Sequence, residues 1–499
     1  MSLKLGFRNG DRIPATLSSD LSLTDRDGPP VISETLLSVC RDFAFSSNSP
    51  AEFSHWYLRS EVFSKFNDGD PLSAASREAT AMEKFVLAES QCREANSWVV
   101  GWDFYNRFDI SVWRRARGIV SDILGPTFPW ESFPRLCQFG PGASLALPRR
   151  KSSHSNKWVF STHITEASLP YYDAFRRWSN IDLPGDMTVV DGNRVTTVPK
   201  SYKTDRTIAV EPDWNAFLQR GVGSLIRSRL RRRGLLTPDA QDVHRRLACE
   251  GSRLGHLATL DMSMASDSVG LALCEALLPE AWWRVVVDLR SPRGYLPGGG
   301  VVTYAKVSSM GCGFTFELET LLFYALTAAC FNKGDREHIS VYGDDIICPS
   351  FGAEKVMATL CEAGFSVNHA KSFWSGRFRE SCGGHYFDGD DVTPFYIRRH
   401  PQCNGDPIVL HNNILAWCAR QPQPLTAAFS NTLEVCRKVV PRGLYGPWGL
   451  DGCLWSVWDQ AVPKWNVDTQ SYRQKVVKTI KWLEDDGHSW GAILQKLWI

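Results

Sequence analysis

Two adjacent acids, Asp344 and Asp345, stand in the middle of an otherwise apolar stretch, HISVYGDDIICP (residues 338–349). The β-branched runs Ile339–Val341 and Ile346–Ile347 predict two short strands, and Gly343 with Asp344 predicts the tight turn between them. Neighbouring carboxylates repel, and on so apolar a hairpin they resist ionising together unless a cation lies beside them. Hard oxygen donors select magnesium or manganese over zinc. The bland alternative is a solvated type I′ turn, the commoner fate of a Gly-Asp-Asp string taken alone.

Upstream, HLATLDMSMASDS (256–268) predicts an apolar strand that ends at Asp261, with Ser263, Ser266, Asp267 and Ser268 breaking the apolar pattern beyond it. A carboxylate at a strand end points into a cleft. Asp261, Asp344 and Asp345 are therefore the candidate ligands and catalytic residues for two divalent ions, magnesium with manganese as a substitute. Such a pair activates an attacking hydroxyl and stabilises a leaving pyrophosphate in an in-line transfer. Clustered aspartates also serve two-metal phosphodiesterases and nucleases, so that reading stays open here, as does a non-catalytic RNA-binding protein.

The chain of 499 residues is 43% hydrophobic, enough to bury a large core and to form more than one domain. Its 56 basic and 54 acidic residues nearly cancel, so any attraction for a polyanion has to come from local clustering. The segment Arg194–Arg233 provides it, with ten Lys or Arg against Asp205, Glu211 and Asp213. Within it Arg227, Arg229 and Arg231 are expected to meet nucleic-acid phosphates, in contacts without sequence preference that weaken with salt. The opening residues hold no continuous apolar run, so no secretory signal is expected. The longest greasy stretch, Ser309–Phe331, carries Glu317 and Glu319 and predicts a buried helix rather than a membrane span. Fourteen cysteines contain no CxxC pair, which argues against a zinc ribbon and for reduced thiols.

Along the chain, residues 1–100 attach to no chemistry. In MTVVDGNRVTTVPK (187–200) the Asp191-Gly192 pair predicts a hairpin. Residues 256–400 read as a mixed α/β block. The last hundred residues are helical in pattern, with Trp417, Trp448, Trp455, Trp458, Trp465, Trp482, Trp490 and Trp498 expected mostly in cores.

The carboxylates do not stand alone. FGPGAS, VPKSYKTDRTIAVEPDWN, DMSMASDS, LRSPRGYLPGGGVVTYAKVSSMG, FTFELETLLF, VYGDDII and FRESCGGHYFDGDDVTPFYIRR follow in order between Phe139 and Arg399. Together they resemble the replicase catalytic (beta) subunits of positive-strand RNA bacteriophages, the levivirus-type polymerases. Each block is longer than a catalytic motif requires, so the likeness is specific to that family, whereas residues 1–130 and 400–499 resemble it only in general character.

The resemblance implies an α+β right-hand polymerase: 1–130 bridging fingers and thumb, 131–255 fingers, 256–400 an antiparallel palm with packed helices, and 401–499 a mostly helical thumb. It implies an RNA-directed RNA polymerase that replicates and transcribes a single-stranded RNA genome. Lys200, Lys203 and Arg206 are then the contacts to the triphosphate, with Asp267, Ser309 and Gly311 beside the nucleotide's sugar and Lys371 a candidate general acid, a role His369 shares. The small polar Ser266 and Asp267 favour RNA over DNA synthesis. Cys312 stands where the family has Asn, and a thiol replaces an amide poorly, which leaves the 2′-hydroxyl to Asp267 or to Ser309 with Ser266. Implied partners are template and product RNA, ribonucleoside triphosphates, host elongation factors Tu and Ts and a ribosomal protein of OB repeats, in the bacterial cytoplasm with no membrane.

Overall fold

A strand buried on both faces has to be covered from two sides, and Leu257–Leu260 is such a strand, with all four residues buried. The computed structural model describes residues 50–66, 71–100, 109–179, 181, 183, 186–201, 203–399, 405–421, 427–457 and 464–478. In it, Leu257–Leu260 and Ser340–Tyr342 flank the central strand Asp345–Pro349, both antiparallel to it. The helices Ala240–Leu254 and Thr315–Ala329 pack against this sheet. Leu318, Leu321, Leu322 and Leu326 bury themselves at helical spacing, and with Leu260 and Ile346 they belong to the largest apolar core, which also takes in Trp214, Phe217 and Trp282. The architecture mixes helix with short, mainly antiparallel sheets, as expected of an α+β chain.

A four-stranded sheet follows the order Asp205–Val210, Asn193–Pro199, Arg293–Tyr295, Val301–Thr303. The hairpin expected at Asp191-Gly192 does not form. Thr188–Val190 instead runs parallel to His163–Thr165, while Asn193–Pro199 pairs with Asp205–Val210. Gly192 serves close approach rather than a reversal: a Cβ there would lie 2.1 Å from the Arg293 carbonyl oxygen. A second hairpin, Phe378–Ser381 with Gly384–Phe387, packs on the Ala240–Leu254 helix.

The described residues fall into two compact units, one from 71–390 and one from 50–70 and 391–480. In the second, the helices Pro50–Glu61, Gly405–Cys418 and Ala427–Val439 bury Leu58, Ile414, Trp417, Phe429 and Leu433 in a small core. Past Val439 the expected helical pattern gives way to short strand pairs, Tyr445–Gly446 with Leu454–Trp455 and Lys464–Asn466 with Ser471–Arg473. Alternation such as Lys464-Trp465-Asn466 suits a hairpin better than a helix face. Trp448 and Trp465 are exposed, each against another ring, Trp455 and Tyr472 respectively. Trp458, Trp482, Trp490 and Trp498 lie outside the described residues. Among those described there is no disulfide, and no helix is long and apolar enough to cross a membrane.

Candidate active site

The register of the central sheet decides where the acids meet. Ile346 pairs with Leu260, so the next residues outward, Asp345 and Asp261, stand beside each other where the sheet ends. The turn above them has positive φ at Gly343 (+62°) and not at Asp344, the pattern of a type II′ rather than a type I′ turn. Gly343 N–H donates to Thr320 Oγ1 at 2.9 Å, fixing the turn to the Thr315–Ala329 helix and leaving Asp344 exposed at the tip. Burial, then the charge of Asp344, pushes the Asp261 carboxyl up to about 6. The same two causes, with Asp261 adding to them, push Asp345 up to about 7. Two carboxyls raised by burial and by the charge of a third acid beside them form a place that favours a cation.

Each half-buried carboxylate is held by side chains far along the chain. Asn368 Nδ2 donates to Asp261 Oδ2 at 2.7 Å, and Asp261 N–H donates to Ser372 Oγ at 3.1 Å. Asp345 accepts from Ser381 Oγ at 3.3 Å and from the Cys382 thiol at 3.5 Å. Behind Ser381 lies buried His244, with Nδ1 2.9 Å from Ser381 Oγ and Nε2 2.9 Å from Ser340 Oγ. Burial pushes His244 down to about 4, so the ring is neutral. If Ser381 gives its proton to Asp345, His244 Nδ1–H donates to Ser381 and Nε2 accepts from Ser340. Sequence reasoning missed all of these residues. They act across separations of 36 to 137 positions, and no local pattern marks such partners.

Basic groups converge on the same place. Lys200 follows the Asn193–Pro199 strand and keeps solvent access. It is nevertheless held below the usual lysine range by the groups enclosing it and by the charges of Arg206 and Lys371, while Asp261 and Asp344 act in the opposite sense. Lys371 in turn draws Asp261 downward, and its Nζ lies 3.6 Å from Glu380 Oε1. Lys203 stands on the connecting turn, its N–H donating to Ser201 Oγ.

The loop Ser308–Gly313 lies against the strand carrying Arg206, through Ala209 N–H donating to the Met310 carbonyl at 2.8 Å. Gly311 has φ of +123°, and Ser309 is buried, its carbonyl accepting from Thr315 Oγ1. Burial pushes the Cys312 thiol up, so it stays protonated. Asp267 is 7% exposed, with Oδ1 accepting from the fully buried Lys306 at 2.9 Å and Oδ2 making no hydrogen bond among the described residues. Glu89 lies 3.1 Å from the same ammonium. Sequence reasoning treated Glu319 only as an argument against a membrane span. It is 6% exposed, and burial, then the charges of Asp344 and Asp267, holds it well above the usual carboxyl range, so it is neutral.

The expected RNA-binding arginines are placed differently from one another. Arg227 donates through Nε and Nη2 to Glu317 Oε1, and Arg231 Nε donates to the Leu236 carbonyl. Arg229 is partly exposed and has no partner among the described residues.

Among the described residues, no group of three or more His, Cys, Asp and Glu side chains stands close enough together to hold a metal ion by itself. Magnesium does not need one: it is usually bound through one or two carboxylates, with waters and substrate phosphates completing its shell. Three mutually repelling aspartates at the end of a sheet are a donor set of that kind.

Residues 15–434 match the family model described as RNA replicase, beta-chain. The RNA-directed RNA polymerase subunit beta of Qbeta virus (strain MX1) is 40% identical over 421 residues, covering 81% of this chain and 71% of that one. The subunit of the same name from Enterobacteria phage SP is 43% identical over 369 residues, covering 72% of this chain and 63% of that one. Among solved structures, a chain from the genome and RNA polymerase complex inside a dsRNA virus aligns with a TM-score of 0.39 at 11% identity, covering 69% of this chain and 33% of that one. A score that low carries no argument.

Proposed function

Since the chain belongs to the RNA replicase beta-chain family of RNA-directed RNA polymerases, we propose that it replicates and transcribes a single-stranded viral RNA by two-metal nucleotidyl transfer at Asp261, Asp344 and Asp345. What supports this most is the register that sets Asp261 beside Asp345, with both carboxyls raised by burial and then by the charge of Asp344. The three aspartates are the residues to hold two magnesium ions, with manganese as a substitute. When bound, such ions supply the charge that helps ionise an attacking 3′-hydroxyl and offsets the charge gathering on pyrophosphate.

The chain's own groups do the rest. Asn368 and Ser381 fix the two half-buried carboxylates. Lys200 and Arg206, with Lys203 on the adjoining turn, present cations to the triphosphate, where an arginine fork suits phosphate oxygens. Lys371, within the electrostatic reach of Asp261, hands a proton to the departing pyrophosphate. Asp267, held at one oxygen by Lys306, offers the other to a ribose hydroxyl beside the Ser309–Gly311 loop. In this reading the fingers are 131–255, the palm 256–400 and the thumb 401–499. Elongation factors Tu and Ts and an OB-repeat ribosomal protein are the host partners in the bacterial cytoplasm, carried by family resemblance and checked by co-purification from infected cells.

The experiment is incubation of the full chain with an RNA template, four ribonucleotides and magnesium. Elongated product is expected. A shortened template instead means a nuclease, and an unchanged one a binding protein. Asp344→Asn is expected to lower incorporation by roughly a thousandfold or more, since it removes a ligand of the ions that such transfer depends on. RNA binding and the melting temperature should stay near wild type, because Asp344 is exposed.

A further inference from the structure

The helix Asp213–Arg231 carries one more arginine, Arg220, and its surroundings differ from those of Arg227 and Arg231. Among the described residues its guanidinium has no hydrogen-bond or ion-pair partner, although its Nε is closed off from solvent. A buried donor without an acceptor costs about 1–3 kcal/mol; Nε is sealed, whereas neither Nη is among the buried unpartnered atoms, so Nη1 and Nη2 are the donors an incoming anion would meet.

Two loops define the place. A Cβ added to Gly140, in FGPGAS, would lie 3.3 Å from Arg220 Nη1. One added to Gly313, at the end of SSMGCG, would lie 2.9 Å from Arg220 Cγ. The guanidinium thus rests on the first loop and its stem on the second. The corner is positive: burial lowers both His154 and Lys157, and the charge of Arg220 adds to it at each. Lys157 Nζ donates to the carbonyls of Gly140 and Gly142 at 2.5 Å each, which stiffens the first loop. Asp213, the acid that acts on Lys157, is fully buried and already accepts from Ala146, Thr162 and His163. Exposed Arg149, Arg150 and Lys151 continue the positive surface.

We infer that Arg220 binds a backbone phosphate of single-stranded RNA at the corner between the Gly140 and Gly313 loops. The inference rests on the polymerase reading and adds a contact to it. A phosphate oxygen is the acceptor the guanidinium lacks, and its planar fork takes two such oxygens at once. The anion is a strand rather than a triphosphate because Lys200 lies within electrostatic reach of Arg206, Lys371, Asp261 and Asp344, a cationic set apart from Arg220, which lies against the Gly140 and Gly313 loops.

The test is equilibrium binding of labelled single-stranded RNA to the full chain over a salt series, using wild type, Arg220→Gln, Arg220→Leu, Arg220→Lys and the exposed control variant Arg284→Gln. Removing one phosphate contact from a single strand should reduce the slope of log K against log salt by roughly 0.7. Arg220→Gln and Arg220→Leu are expected to show that change, with roughly 3- to 10-fold weaker binding at low salt, unaltered nucleotide KM and melting temperatures at or above wild type. Arg220→Lys and Arg284→Gln should keep the wild-type slope. An unchanged slope in Arg220→Leu overturns the inference, as does an unchanged slope with a raised nucleotide KM, which assigns the guanidinium to the triphosphate. Template extension by the wild-type chain tests the polymerase reading separately.

Discussion

Position 311 shows how little freedom single residues have around this site. A Cβ there would lie 2.0 Å from the Ala209 carbonyl oxygen, and φ of +123° is a conformation L side chains rarely adopt. Gly311→Ala is therefore expected to cost about 2 kcal/mol or more, read as a lower urea midpoint, and to slow incorporation because the loop must leave the Arg206 strand. The neighbouring Cys312 poses a chemical question instead of a steric one. As a protonated thiol it is a weak donor and acceptor, so Cys312→Asn is expected to raise the ratio of ribo- to deoxyribonucleotide incorporation. A ratio equal to wild type shows that position 312 does not read the sugar.

Among the elements, the hairpin of Phe378–Ser381 and Gly384–Phe387 helps to hold the acids in place. Fully buried Arg379 donates through Nε to the Leu257 carbonyl at 2.6 Å, which ties the hairpin to the strand ending at Asp261. His244 ties the helix Ala240–Leu254 to the same hairpin and to Ser340. Its ring titrates near 4 in the fold against an ordinary 6.5, so between those values the unfolded chain binds a proton that the native one does not. Stability then falls as pH drops from about 6.5 to about 4, by about 3 kcal/mol in all for this group. His244→Gln, which keeps a donor and an acceptor but does not titrate, is expected to lose less stability than wild type between pH 7 and pH 4.5 in urea unfolding. Equal losses in the two proteins would assign the acid sensitivity to other groups.

Across the 71–390 unit, Lys306 joins segments remote in sequence. Its ammonium is fully buried, 3.1 Å from Glu89 on the Pro71–Val100 helix and 2.9 Å from Asp267, with the Phe85 ring 3.7 Å away. Lys306→Met would leave two carboxylates buried beside each other, and breaking a buried pair this way costs about 3–5 kcal/mol. The expected result is a matching drop in unfolding free energy, and the triple change with Glu89→Gln and Asp267→Asn should recover part of it. What the sequence determined by itself was local: the strand before Asp261, the turn at Gly343, the buried helix after Gly313 and the basic run beside Lys200 all follow from patterns a few residues long. The order of the motif blocks extended that to the family. Tertiary structure alone decided the rest, because burial and partners are set by chain segments that no local window contains. It showed Asp191-Gly192 to be a crossing between sheets, turned Arg227 toward Glu317, brought Asn368 and His244 behind the acids, enclosed Glu319 as a neutral group, and left Arg220 without a partner among the described residues.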